Sequence, residues 1–150
     1  MNTVLGKDDR CSVARSLEVL GEKWTLLIVR ETFLGRSRFS EIQSSLGIAK
    51  DVLTNRLAGL VEHGVLERRT YREEGARERY EYALTPVGHD LAHVMAALSQ
   101  WGDRYRPTEA GPSRVYIEVA TGEPVSVGYT SADGRALSAA EVTVVPGPGA

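Results

Sequence analysis

The sequence predicts a mainly α-helical domain carrying a small β wing, followed by a β-rich extension. Three observations carry that expectation. Apolar residues recur at helical spacing in four stretches between Ser12 and His63, and two alternating segments flank a glycine-containing turn at 72–77. Past Pro107 the composition shifts to Gly, Pro, Ser, Thr and Val. With 150 residues, 42% hydrophobic and 25% charged, the chain has globular make-up, which excludes a mainly disordered, collagen-like or fibrous protein. The expected division is a helical domain over 1–106 and an extension over 107–150.

Ser12 reads as the N-cap of a first helix with Val13, Leu17 and Leu20 on one face, and Gly21 as the positive-φ residue that ends it. A second helix starts near Trp24. Its run Trp24-Thr25-Leu26-Leu27-Ile28-Val29 is apolar nearly all round, which marks burial by several neighbours, and Gly35 stops it. A short helix from Phe39 to Leu46, the turn Gly47-Ile48, and a helix from Ala49 to His63 closed by Gly64 then spell a helix-turn-helix.

On the second helix of that motif Leu53, Leu57 and Leu60 face the core, which turns Asp51, Thr54, Asn55, Ala58 and Glu62 outward. Short polar side chains suit a helix in the major groove, because Asn can bond adenine N6 and N7 together and Thr can offer a hydroxyl or a methyl. Ordinary solvation accounts for the same residues, so spacing alone leaves both readings open. The hairpin that follows, Val65–Tyr71 and Glu78–Leu84, sets Tyr80, Tyr82 and Leu84 on one side and forms a wing. Arg72, Arg77 and Arg79 then lie near its tip or flank, within reach of phosphates, or alternatively paired with Glu73, Glu74, Glu78 and Glu81.

Charge is unevenly spread. Residues 1–106 hold 16 Lys/Arg against 15 Asp/Glu, a balance of +1, and residues 107–150 hold two Arg against five acids, a balance of −3. Five arginines fall between Arg68 and Arg79, so a local positive surface coexists with a net charge of −2.

Thr85-Pro86 starts a long helix expected to run to about Tyr105, with Thr as N-cap and Pro at the first position. Val87, Leu91, Val94, Leu98, Trp101 and Tyr105 recur at spacings of 4, 3, 4, 3 and 4, a seam for a dimer contact or for packing within the chain. In the extension, three strands are expected: one through Val115, Ile117 and Val119, one from Val125 to Thr130, and one from Glu141 to Val145. The end, Pro146 to Ala150, is expected to fray. The extension could cover a ligand pocket, widen a dimer interface or recruit a partner.

The single cysteine, Cys11, forms no internal bridge, which suits a reducing cytoplasm. Its thiolate would be favoured by the first helix's dipole and by Arg10 and Arg15, against the plain alternative of a small buried apolar side chain. Lacking a second cysteine, oxidation would give a sulfenic acid, an adduct or an intersubunit disulfide. No run approaches the roughly 18 apolar residues of a membrane span, and the first ten residues lack the apolar core of a secretory signal. His89 and His93 have helical metal-pair spacing but no accompanying Cys or HExxH-type glutamate, so neither a metal nor a cofactor is expected. No nucleophile elbow, P-loop or dinucleotide fingerprint is present, so an enzyme is not expected.

From Cys11 to Tyr105 the chain resembles the HxlR-type winged helix-turn-helix transcription regulators, related in fold to the MarR group. The resemblance rests on Cys11-Ser12-Val13-Ala14-Arg15, Gly21-Glu22-Lys23-Trp24-Thr25-Leu26-Leu27-Ile28, Arg38-Phe39-Ser40-Glu41-Ile42, Leu53-Thr54-Asn55-Arg56-Leu57, Gly64-Val65-Leu66-Glu67-Arg68, Leu84-Thr85-Pro86-Val87-Gly88 and Trp101-Gly102. It implies a homodimer that binds double-stranded operator DNA through the second helix of the motif and the wing, and repression by occluding a promoter. Lys50, Asp51, Thr54, Asn55 and Arg56 would read or flank base edges, Arg72, Arg77 and Arg79 would hold the backbone, and Arg38 joins the DNA-binding set. Several regulators of this kind sense quinones, aldehydes or oxidants through an N-terminal cysteine, which makes Cys11 a candidate thiol sensor and a small-molecule inducer an expected partner. Two-fold pairing would set the reading helices about 34–36 Å apart and match an inverted repeat. The alternative is a ligand- or thiol-reactive sensor acting mainly through small-molecule or protein partners, with weak or no DNA binding. Ala49-Lys50 and the long turn Glu73-Glu74-Gly75-Ala76-Arg77-Glu78 depart from the family's usual pattern.

Overall fold

The computed structural model describes residues 10–148. They form α1 (Ser12–Leu20), α2 (Thr25–Phe33), α3 (Phe39–Leu46), α4 (Lys50–Glu62), β1 (Leu66–Tyr71), β2 (Arg79–Leu84), α5 (Pro86–His89), α6 (Ala92–Tyr105), β3 (Tyr129–Thr130) and β4 (Ala136–Leu137), with one 3₁₀ turn at Ala139–Glu141. Two compact units result, one ending at Leu91 and the other beginning at Ala92. The mainly helical architecture with a two-stranded wing is therefore the one expected. The division falls before α6, whereas the sequence suggested 106.

In the first unit the core is built from Ile28 and Val29 of α2, Ile42 of α3, Leu53, Leu57 and Leu60 of α4, and Ile48, Val65 and Leu66 beside them. The inward stripe of α4 is thus the one its leucine spacing predicts. Gly47 makes the tight turn between α3 and α4 at φ +63°, a conformation that a Cβ would penalise. The helix α2 is less enclosed than its composition suggested, since Leu27 is exposed. Among its buried residues is a charge: Glu31 is 1% exposed, with Oε1 2.6 Å from Arg30 and Oε2 3.0 Å from Arg36. Oε2 lacks a well-angled hydrogen bond, so the Arg36 charge is what compensates its burial. Burial pushes the Glu31 carboxyl up, but the Ser45 hydroxyl and the two guanidiniums outweigh it and hold the group below the usual carboxylate range.

Two local details at α1 differ from expectation. Cys11, not Ser12, occupies the N-cap. Gly21 has φ −77° rather than a positive value, and glycine is needed there for closeness instead, because a Cβ would lie 2.4 Å from the Leu17 carbonyl oxygen. The left-handed residue in this loop is Trp24, at φ 81°, an uncommon conformation for a bulky side chain.

The predicted long helix is interrupted. Thr85 caps α5 as expected, accepting from the Gly88 N–H at 3.1 Å, and Pro86 opens the helix, but α5 ends at His89 and a turn at Asp90–Leu91 precedes α6. Packing supplies a reason. Gly88 lies so close to the preceding chain that a Cβ would fall 2.2 Å from the Val65 carbonyl oxygen, which seats α5 on the root of the wing. His89 and His93 consequently lie on different helices, and the described residues contain no group of three or more His, Cys, Asp or Glu that could hold a metal.

In the second unit Ala96 is the buried residue of α6. The Ser99 hydroxyl and Tyr116 hydroxyl lie 3.2 Å apart, and the Gln100 side-chain oxygen accepts the Val127 N–H at 3.2 Å, fixing the extension onto this helix. Only part of the expected sheet forms: Ile117 bridges Pro124, and β3 pairs with β4 through Tyr129↔Leu137 and Thr130↔Ala136. The expected third strand is absent among the described residues. Ser138 and Glu141 form a capping box whose carboxylate accepts from the Ser138 backbone and hydroxyl, both at 2.9 Å, so the segment coils into a 3₁₀ turn. Val144 and Val145 beyond it are exposed. Of the end expected to fray, Gly149 and Ala150 lie outside the described residues. No helix among those described is long and apolar enough to cross a membrane.

Candidate nucleic-acid interface

Burial of Leu53, Leu57 and Leu60 fixes the rotation of α4, and Lys50, Asp51, Thr54 and Asn55 are exposed on its N-terminal half. These four line one shallow depression. The Thr54 hydroxyl donates to the Lys50 carbonyl at 2.8 Å, so its proton is spent within the helix and its methyl and lone pairs are what it offers outward. Asn55 has no side-chain partner among the described residues, which leaves its amide donors and acceptor for a base edge. Arg56 is placed differently. Its guanidinium turns to the α1–α2 loop, donating to the Lys23 carbonyl at 3.2 Å and pairing with Glu22 at 2.9 Å.

The wing is β1 and β2 in antiparallel register, from Leu66↔Leu84 to Tyr71↔Arg79. Residues just before α3 flank β2 at mid-strand: the Ser37 carbonyl accepts the Tyr82 N–H at 2.7 Å, and Arg38 bridges Glu81. Thr70↔Tyr80, Arg68↔Tyr82 and Leu66↔Leu84 place the three expected β2 residues on one side, and the Arg68 guanidinium stacks 4.3 Å over the Tyr80 ring. Within the turn, Arg72 donates to the Ala76 carbonyl at 2.9 Å. Arg77 and Arg79 are exposed with no ion-pair partner among the described residues, as is Lys50. The acids expected as competitors therefore do not hold the three wing arginines, and Glu73 goes instead to Arg38, 2.7 Å away. Arg38 also lies 4.4 Å over the Tyr71 ring. Its backbone N–H and that of Ser37 donate to Glu41, and these hydrogen bonds hold the Glu41 carboxyl below its usual range.

Cys11 is exposed at the head of α1. The helix α1 buries no residue, with Val13 and Leu17 uncovered. The α6 seam is likewise open: Val94, Leu98, Trp101 and Tyr105 are exposed, as is Val87 of α5, and Leu91 is half-buried in the turn. The second unit carries an open cavity of about 730 Å³ lined by residues of α6, including His93 and Gln100, and by Tyr116, Val127, Tyr129 and Leu137 of the extension. The sequence set Glu73 against the wing arginines rather than against Arg38, and it gave no sign of Tyr71 as a partner of Arg38 or of Glu22 as a partner of Arg56.

A helix-turn-helix whose second helix shows a polar face, joined to a hairpin bearing unpaired arginines, defines the winged helix-turn-helix class of DNA-binding proteins. The chain belongs to the HxlR-like helix-turn-helix family, which its residues 19–110 match. It is similar to an uncharacterized HTH-type transcriptional regulator of Mycobacterium tuberculosis, 42% identical over 139 residues that span 92% of this chain and 87% of the relative. Among solved structures it is similar to PA1607 at a TM-score of 0.78 and 38% identity, over 93% of this chain and 96% of that one. It also resembles the redox regulator HypR in its reduced form, at a TM-score of 0.58 and 28% identity over 64% of this chain and 94% of that one. The chain is thus a transcriptional regulator of helix-turn-helix type and not an enzyme.

Proposed function

We propose that the protein is a cytoplasmic homodimeric repressor that binds an inverted-repeat operator, with residues 1–106 serving DNA binding and dimerisation. The observation that carries this reading is the exposed patch of Lys50, Asp51, Thr54 and Asn55 over the buried leucines of α4. Those four residues read or flank base edges, with Arg56 beside them anchoring the helix through Glu22. Arg77 and Arg79 hold phosphates from the wing, and Arg72 supports its turn. Dimerisation is supported by the uncovered apolar stripes of α1 and α6, since exposed Leu98, Trp101 and Tyr105 side chains are costly to leave in water.

A signal enters by one of two routes. The exposed Cys11 and the similarity to a protein named a redox regulator support thiol modification, and the cavity of the second unit is large enough for a small-molecule inducer.

Selection of duplexes from a random library with the purified protein tests the reading, and an inverted repeat is expected. On that site Asn55→Ala should cost about 1–3 kcal/mol and relax sequence choice, and Arg77→Ala should weaken all sequences alike and reduce the salt slope by about one. Equal loss on operator and random DNA from both variants would overturn these roles.

A further inference from the structure

We infer that Arg38 is a phosphodiester-binding site whose place is held by Glu73 in the free protein, so that docking on DNA exchanges the carboxylate for a backbone phosphate. This inference rests on the regulator reading and adds a residue-level device to it. Glu73 lies in the wing turn and Arg38 at the start of α3, 35 positions apart, yet Oε1 and Nη1 are 2.7 Å from one another. The guanidinium is a planar fork that matches carboxylate and phosphate oxygens alike, which is why an acid can stand where a phosphate will sit.

Three features make the pair exchangeable rather than structural. Its side chains are 39% and 57% exposed, and ion pairs so open to water are weak. The Arg38 side chain does not need Glu73 to keep its direction, because the Tyr71 ring supports it from one face at 4.4 Å. Its backbone is fixed independently by the bridge to Glu81 and the N–H bond to Glu41. The placement also suits a phosphate, since the first helix of a helix-turn-helix crosses the DNA backbone. Arg56 makes the contrast. It is bound by both a carboxylate and the Lys23 carbonyl, an arrangement for holding α4 rather than for release.

The test uses Glu73→Gln with Glu74→Gln as its control, because Glu74 is a neighbouring exposed acid with no ion-pair partner among the described residues. Binding is measured to the selected operator and to a random duplex of equal length across a salt series. Glu73→Gln should tighten both duplexes by about two- to fivefold beyond the gain from Glu74→Gln. Arg38→Gln should weaken both and reduce the salt slope by about one, with a larger loss in the Glu73→Gln background than in the wild type, whereas Arg38→Lys should keep the slope. Thermal melts of each variant establish that it is folded. If Glu73→Gln weakens binding, or gains no more than Glu74→Gln, or if Arg38→Gln leaves the slope unchanged, the pair is a permanent brace and the inference is overturned with the regulator reading intact. Wild-type protein that binds no duplex would overturn both.

Discussion

Replacing Gly88 by alanine sets two effects against each other, and the structure decides between them. Helix propensity alone favours alanine over glycine by about 1 kcal/mol. At Gly88, however, the new methyl would lie 2.2 Å from the Val65 carbonyl oxygen and 2.9 Å from Leu84 Cδ2, well inside contact distance. The carbonyl has little freedom to retreat, since it accepts the Thr85 N–H at 3.1 Å and lies 3.2 Å from the Thr85 hydroxyl that caps α5. Overpacking of this kind costs about 1–3 kcal/mol, and partial loss of the cap adds about 1 kcal/mol, so a net destabilisation of about 1–3 kcal/mol is expected after the propensity gain. Gly59 in the last turn of α4 supplies the opposite case. A Cβ there meets nothing within 4 Å, so Gly59→Ala should stabilise by about 0.5–1 kcal/mol. Urea denaturation of the two variants beside the wild type reads both signs in one experiment, as midpoints shifting in opposite directions at unchanged slope. A Gly88→Ala protein as stable as the wild type, or more so, would refute the close-approach argument.

Other perturbations follow from the same geometry. Glu31 has its folded-state pKa held below the ordinary 4.5, so its stabilising contribution is complete above that value and is lost as pH falls through the folded pKa. Glu31→Gln should therefore cost about 1–3 kcal/mol at neutral pH and flatten the acid limb of the stability curve; an unchanged acid limb in pH-dependent melts would contradict the ion-pair account. Leu98→Glu combined with Trp101→Glu should convert a dimer to a monomer in sedimentation experiments, and a dimer of unchanged affinity would remove α6 from the interface. Cys11→Ser should abolish release from DNA by oxidants or quinones, and release at the wild-type rate would reject thiol sensing.

Much of the first unit was legible because it is local. The Leu53, Leu57, Leu60 spacing sets which side of α4 faces inward, and Thr85-Pro86 carries its cap in two adjacent residues. What was not legible depends on chain segments far apart in sequence. The apolar spacing from Val87 to Tyr105 continues through Asp90 and Leu91 without a break, and only the closeness of Gly88 to Val65 gives a reason for a turn there. Nothing in the local pattern marks Glu31 as a buried charge, because its burial is compensated by Arg30, Arg36 and Ser45 only in the folded chain. The Arg38–Glu73 and Arg56–Glu22 pairs join residues more than thirty positions apart, a distance over which charge patterning has no period. In the extension the signal was visible but outweighed: Ser138-Ala139-Ala140-Glu141 is a capping-box sequence, and the valines after it suggested a strand.

The hydrogen bond from Tyr82 to Ser37 and the bridge between Arg38 and Glu81 have a mechanical consequence for the hairpin. Because β2 is tied at mid-strand to the segment that launches α3, the hairpin is coupled to the helices like an outrigger. How far it stretches along a duplex is then dictated by the seven residues between Tyr71 and Arg79, so inserting or deleting residues there would alter its span while leaving its heading unchanged.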